Sequence, residues 1–158
     1  MKKVKDFMNK NVIYFKPEYT VFDVARVFSR KHISGAPVVK NKKVVGIVST
    51  SDIAKYMSSK LGYIKPISQE IVGISFFLLK MVETGKGYWD MKKEAKKISQ
   101  IRVEDVMSKK IISIKPNETL FDAANMMEKY DVNRLPVINN NRLVGIISRA
   151  DLIRALIC

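Results

Sequence analysis

Residues 46–52 read Gly-Ile-Val-Ser-Thr-Ser-Asp, and residues 145–151 read Gly-Ile-Ile-Ser-Arg-Ala-Asp. The two stretches are one motif met twice, 99 positions apart. Extending the comparison outward aligns residues 4–57 with 103–156 without a gap, and 19 of the 54 pairs are identical. The identities include Met8 and Met107, Pro17 and Pro116, Thr20 and Thr119, Phe22 and Phe121, Asp23 and Asp122, Pro37 and Pro136. Chance does not give a match of this length, so the chain is two copies of one unit.

Each copy has the same local grammar. A short apolar segment, Val12 to Phe15 or Ile111 to Ile114, ends at Lys-Pro, which favours extended backbone. Thr20 and Thr119 stand where a helix N-cap is wanted. The helix that follows carries Val21, Val24, Ala25 and Phe28, or Leu120, Ala123, Ala124 and Met127, at spacings of three and four. Pro37-Val38-Val39, a polar turn at Asn41 and Val44 to Val48 read as a β-hairpin. Ser49-Thr50-Ser51-Asp52 opens a last helix, with a carboxylate in its first turn. The predicted unit is β-α-β-β-α, an α/β (α+β) arrangement. A unit of about fifty residues buries one face of a small sheet, so two copies are needed to complete a core.

These residues resemble the CBS domain, the module named after cystathionine β-synthase, and the pair resembles a Bateman module. The resemblance rests on Val-x-Asp-x-Met (Val4 to Met8; Val103 to Met107), Lys-Pro-x-x-Thr, the Pro-Val-Val/Ile strand and Gly-Ile-Val/Ile-Ser-x-x-Asp. It implies two CBS repeats, 1–57 and 103–158, packed around a pseudo-twofold axis. It also implies clefts between the repeats that take adenosine-containing ligands: AMP, ADP, ATP, S-adenosylmethionine or methylthioadenosine. It further implies a regulatory role toward an attached or separate enzyme or transporter, and a homodimer.

By the same resemblance, Asp52 and Asp151 accept the ribose hydroxyls, a task suited to a carboxylate with two oxygens. The bland alternative is a helix-start charge. Ser49, Thr50, Ser148 and Arg149 would face a phosphate or an equivalent polar group. Thr20 and Thr119 are caps, ligand neighbours or both. Ile13, Ala36, Pro37, Ile112, Leu135 and Pro136 are candidate adenine walls, or plain core. The copies differ where the first helix ends. Lys31 and His32 match basic phosphate-binding positions, whereas the second copy has Tyr130 and Asp131 there. One site is therefore expected to take a phosphorylated nucleotide and the other a less anionic ligand or none.

Residues 58–102 depart from the short connection usual in the family. Ser68 to about Glu83, with an apolar run from Ile71 to Val82, and about Tyr88 to Gln100 read as an inserted helical hairpin. It is expected to clamp either its own module or a dimer partner.

The chain has 158 residues, 47% of them apolar, and 29 Lys+Arg against 15 Asp+Glu, for a formal charge of +14. That composition fits a globular chain rather than a disordered one. The charge suggests an acidic partner, and nucleic acid is the alternative it raises. Its spread is uneven: +8 over 1–57, +5 over 58–102 and +1 over 103–158. No signal peptide or membrane span is read, so a cytoplasmic protein is expected. One cysteine, Cys158, and one histidine, His32, argue against disulfide and metal chemistry. No catalytic motif is found, so no enzymatic activity is expected. A structural dimer with vestigial clefts is the remaining alternative.

Overall fold

The computed structural model describes residues 1–61, 96–97 and 99–158. The elements run α1 (Val4–Phe7), α2 (Val21–Lys31), β1 (Gly35–Lys40), β2 (Lys43–Ser49), α3 (Thr50–Leu61), α4 (Val103–Val106), α5 (Leu120–Lys129), β3 (Arg134–Asn139), β4 (Arg142–Ser148) and α6 (Arg149–Ala155). The expected helix from Ser68 to Glu83, and the expected helix from Tyr88 as far as Ala95, lie outside the described residues. Lys96, Lys97 and Ser99 are helical, and a turn follows at Gln100.

Each copy forms one two-stranded sheet, β1-β2 and β3-β4. The β3-β4 pair is antiparallel. It runs from Arg134 opposite Ser148 to Asn139 opposite Arg142, with a register shift between Val137 and Ile138. The extra residue, Val144, makes a bulge. The hairpin turns are Asn41-Lys42 and Asn140-Asn141, and all four residues have positive φ. Two successive left-handed residues are what a two-residue turn needs to match strand twist, and after glycine asparagine tolerates that region better than most residues.

The extended segment before each Lys-Pro contributes a single paired residue rather than a strand. Phe15 bridges Val38 and Ile114 bridges Val137, both parallel. Pro17 and Pro116 follow two residues on and bring no N–H to continue a ladder.

The chain's two compact units interleave along the sequence. Unit 1 is Met1–Tyr14, Val39–Val45 and Lys110–Cys158; unit 2 is Phe15–Val38 and Gly46–Lys109. Each unit thus takes its leading one-turn helix from the opposite copy. In unit 1 the N–H groups of Val4 and Lys5 donate to the carbonyls of Glu118 and Pro116, both at 2.9 Å. In unit 2 Val103 and Glu104 donate to Tyr19 and Pro17, at 2.8 and 3.0 Å. The Lys-Pro-x-x-Thr turn therefore supplies acceptors to N–H groups at the start of the other copy's helix, which have no partner within that helix.

The leading helices also enter the cores. Val4 and Val103 are both 0% exposed. Around Val4, unit 1 packs Ile114, Ala123, Met127, Leu135, Val137 and Ile147, flanked by Met8, Ile112, Leu120 and Leu152. In unit 2 the buried side chains among the described residues include Phe15, Val21, Val24, Phe28, Ala36, Val38, Val48, Ile101, Val103 and Val106. Phe15 there meets Phe28 edge-on at 5.7 Å between centroids. Burying each valine contributes about 1.5–3 kcal/mol.

Candidate functional site

The carboxylates repeated between the copies are built into helix starts. Ser49 donates to Asp52 Oδ2 from its N–H at 2.8 Å and from Oγ at 2.7 Å, and the Asp52 N–H returns a bond to Ser49 Oγ at 3.2 Å. Ser148 and Asp151 repeat this at 2.8, 2.7 and 3.4 Å. Both are reciprocal capping boxes with aspartate as the third residue. The helix-start role of these carboxylates is therefore present in the structure. It leaves Oδ1 for other work. In the second copy Oδ1 accepts from the Arg154 guanidinium at 2.7 Å.

The first helices start the same way. Asp23 Oδ2 accepts from Thr20 N–H and Oγ1, both at 2.9 Å. Asp122 accepts from Thr119 at 3.0 and 2.6 Å. The bonds from the Thr20 backbone and hydroxyl hold the Asp23 carboxyl below its usual range, against a small opposing cost of burial and with help from Arg26. The Thr119 hydroxyl and backbone do the same for Asp122. Asp23 and Asp122 are the capping partners that composition does not single out; the repeated Thr-x-x-Asp spacing is the signal that finds them. Burial lowers the Arg134 guanidinium.

The remaining candidates divide between surface and core. Lys31, His32 and Arg149 are exposed, and Ile13, Thr20, Ser49, Thr50, Ile112, Thr119 and Ser148 are half-buried. Ala36, Pro37, Leu135 and Pro136 are buried, with Leu135 inside the unit 1 core cluster. The carbonyls of Pro37 and Pro136 accept from Phe15 and Ile114 at 3.0 Å each. Thr50 N–H donates to Ser34 O and Arg149 N–H to Asn133 O, both at 3.0 Å. These bonds tie each last helix to the loop after its copy's first helix.

That loop differs in charge between copies. His32 ends α2 in the left-handed region with φ 51°. Its counterpart, Asp131, has φ 50°. Arg149 lies 3.9 Å from Asp131, whereas the first copy has Thr50 and His32 at those two positions. Ile13, Lys31 and the rest of the first-copy set do not all fall in one unit: Ile13 belongs to unit 1 and the others to unit 2. The second-copy set, Ile112 to Asp151, lies wholly within unit 1.

Among the described residues no cluster of His, Cys, Asp and Glu could hold a metal ion. No described helix is long and apolar enough to cross a membrane. No described side chain has a buried polar atom without a hydrogen-bond partner.

Two hairpins of this build, each opening a capped helix with Ser-x-x-Asp, define a tandem-repeat module. The sequence model of the CBS domain matches residues 4–59 and 103–158, and the chain belongs to the CBS domain family. An uncharacterized protein of Methanocaldococcus jannaschii, MJ1426, is 36% identical over 98% of this chain and 90% of its own length. The CBS domain-containing protein YhcV of Bacillus subtilis is 26% identical, over 96% and 84%. The crystal structure of MJ1225 from M. jannaschii superposes with a TM-score of 0.74 at 25% identity, covering 98% of this chain and 48% of that one. The fold is shared by CBSX2 in complex with AMP, with a TM-score of 0.70 at 22% identity over 99% and 97%.

Proposed function

We propose that this chain is a regulatory sensor that binds adenosine-containing ligands and signals their presence to a partner protein, without catalysis of its own. The duplicated Ser-x-x-Asp box carries the reading. It fixes a carboxylate at the same place in both copies, with Oδ2 committed to the helix start and Oδ1 directed elsewhere. Two relatives by fold support the ligand class: CBSX2 was crystallised with AMP, and MJ0100 with 5′-methylthioadenosine and S-adenosylmethionine. The ligand here is AMP, ADP, ATP or an S-adenosylmethionine-type molecule, and Asp52 and Asp151 bind its ribose.

The charge difference assigns the copies. Exposed Lys31 and His32 suit a phosphorylated ligand in the first copy. Asp131 in the second repels phosphate and already draws on Arg149. Calorimetric titration with AMP and adenosine tests this. Asp52→Ala is expected to weaken AMP binding by about 1–3 kcal/mol, the worth of a hydrogen bond to a charged group. Two equal and independent AMP sites would exclude the unequal assignment.

A homodimer in the cytoplasm, acting on a separate enzyme or transporter, completes the reading. A monomer at every concentration by light scattering would remove the dimer. The formal charge of +14 favours nucleic acid as a second reading. It forecasts a steep salt dependence and indifference to Asp52 and Asp151.

A further inference from the structure

Asp52 and Asp151 occupy one place in two copies, yet their free oxygens meet different company. Asp151 is 8% exposed. Its Oδ2 accepts twice from Ser148, and its Oδ1 accepts from Arg154 at 2.7 Å. The residue matching Arg154 in the first copy is Lys55, which makes no ion pair with Asp52 among the described residues. The spacing is the same, three residues, but only the longer, planar guanidinium reaches the carboxylate.

A carboxylate offers about four lone-pair positions. Ser148 takes two of those on Asp151 and Arg154 takes a third, so a pair of vicinal hydroxyls finds one acceptor position where it needs two. Asp52 keeps both Oδ1 positions clear of its neighbouring cation. We infer that Arg154 is a specificity-determining residue of the second copy, competing with a ligand's ribose diol for Asp151. The inference rests on the reading of Asp151 as a ribose acceptor. The Arg154 side chain is 65% exposed although the Asp151 side chain is only 11% exposed, so solvent screens the arginine end of the pair and holds its strength to a modest value. The competition is therefore a modest tax on binding, lifted when Arg154 turns away, and not a block.

The test is titration of the full chain with adenosine and with 2′-deoxyadenosine, which carry no phosphate to confuse the charge of Arg154. Asp52→Asn and Asp151→Asn first identify which binding event belongs to which copy. Arg154→Met is then expected to tighten adenosine at the Asp151-dependent site about two- to fivefold and to leave 2′-deoxyadenosine unchanged. Lys55→Arg is expected to weaken adenosine at the Asp52-dependent site by a similar factor. Unchanged or weaker adenosine binding in Arg154→Met, with Asp151 still required, overturns the inference alone. Adenosine binding indifferent to both Asp→Asn variants overturns the ribose reading and the inference with it. Thermal unfolding of Arg154→Met verifies that it folds. If it does not, the Lys55→Arg arm decides, and no change in affinity there counts against the inference.

Discussion

The sulfur of Met8 occupies the space a side chain on Gly145 would need. A Cβ added at Gly145 would lie 2.5 Å from Met8 Sδ and 2.9 Å from its Cγ. Gly46 stands in the same relation to Met107, with Sδ at 2.6 Å and the Ser108 carbonyl oxygen at 2.9 Å. The chain runs on from each methionine into an antiparallel bridge beside the glycine, Asn9 with Ile146 and Ser108 with Ile47. Glycine in the motif therefore admits the opposite copy's leading segment.

Gly145→Ala and Gly46→Ala should each destabilise the protein by about 1–3 kcal/mol, the usual cost of overpacking. Met8→Ala should recover part of the Gly145→Ala loss, because a flexible thioether is the main obstacle. Met107→Ala should recover less at Gly46, where a backbone carbonyl stands almost as close. Double-mutant cycles from urea unfolding give the two coupling energies. Equal recovery at both sites would contradict the geometry.

The reciprocal placement of α1 and α4 makes a second forecast. Val4→Ala and Val103→Ala should each cost about 1–3 kcal/mol, from lost burial and the cavity left behind. The location of the damage is the sharper readout. Amide exchange in Val4→Ala should accelerate in residues 110–158, and in Val103→Ala in residues 15–38. Acceleration confined to each valine's own copy would contradict the exchange of helices.

Much of this architecture is legible in the sequence, and the illegible part has a physical cause. Thr20, Thr119, Ser49 and Ser148 announce helix starts because a capping box is local, complete within four residues. The first hairpin is legible for the same reason, since Asn41 marks a turn that needs left-handed backbone, and the repeat carries the reading to the second copy. The destination of Val4 is not legible. Its apolar side chain and free N–H groups are satisfied equally well by either copy of the Lys-Pro-x-x-Thr turn, so nothing near it in sequence says which. The Asp151–Arg154 pair shows another limit. Lys55 lies three residues from Asp52, as Arg154 does from Asp151, and the spacing does not tell which pair closes.

Acid should find the Thr-capped carboxylates. Asp23 and Asp122 are held below the unfolded carboxylate range by their threonines. A group depressed on folding contributes stability that is fully present above its unfolded pKa, about 3.9. That contribution is lost as pH falls through the lower folded value. These two groups should therefore leave stability flat from pH 5 to 8 and make it fall below about pH 4. Thr20→Ala should cost about 0.5–2 kcal/mol at neutral pH, the usual worth of an N-cap, and should flatten part of the acid limb. Urea unfolding from pH 2.5 to 7 measures both.

The end of the first helix offers a clean exchange of charge. His32 and Asp131 share a left-handed backbone, φ 51° and 50°, a conformation that His and Asp both tolerate better than most residues. Swapping them therefore alters charge with little change in backbone strain. Lys31→Tyr with His32→Asp gives the first copy the second copy's residues. If the first copy binds phosphate through Lys31 and His32, the preference for AMP over adenosine should fall by about ten- to a hundredfold there, the loss expected for charge-assisted hydrogen bonds. The reverse change, Asp131→His with Tyr130→Lys, should raise the AMP preference of the second copy and free Arg149 from its acidic neighbour. Both preferences should shrink with salt, since the side chains are exposed. Calorimetry at two salt concentrations checks each arm, and an AMP-to-adenosine ratio unmoved by the first swap would remove Lys31 and His32 from the phosphate site.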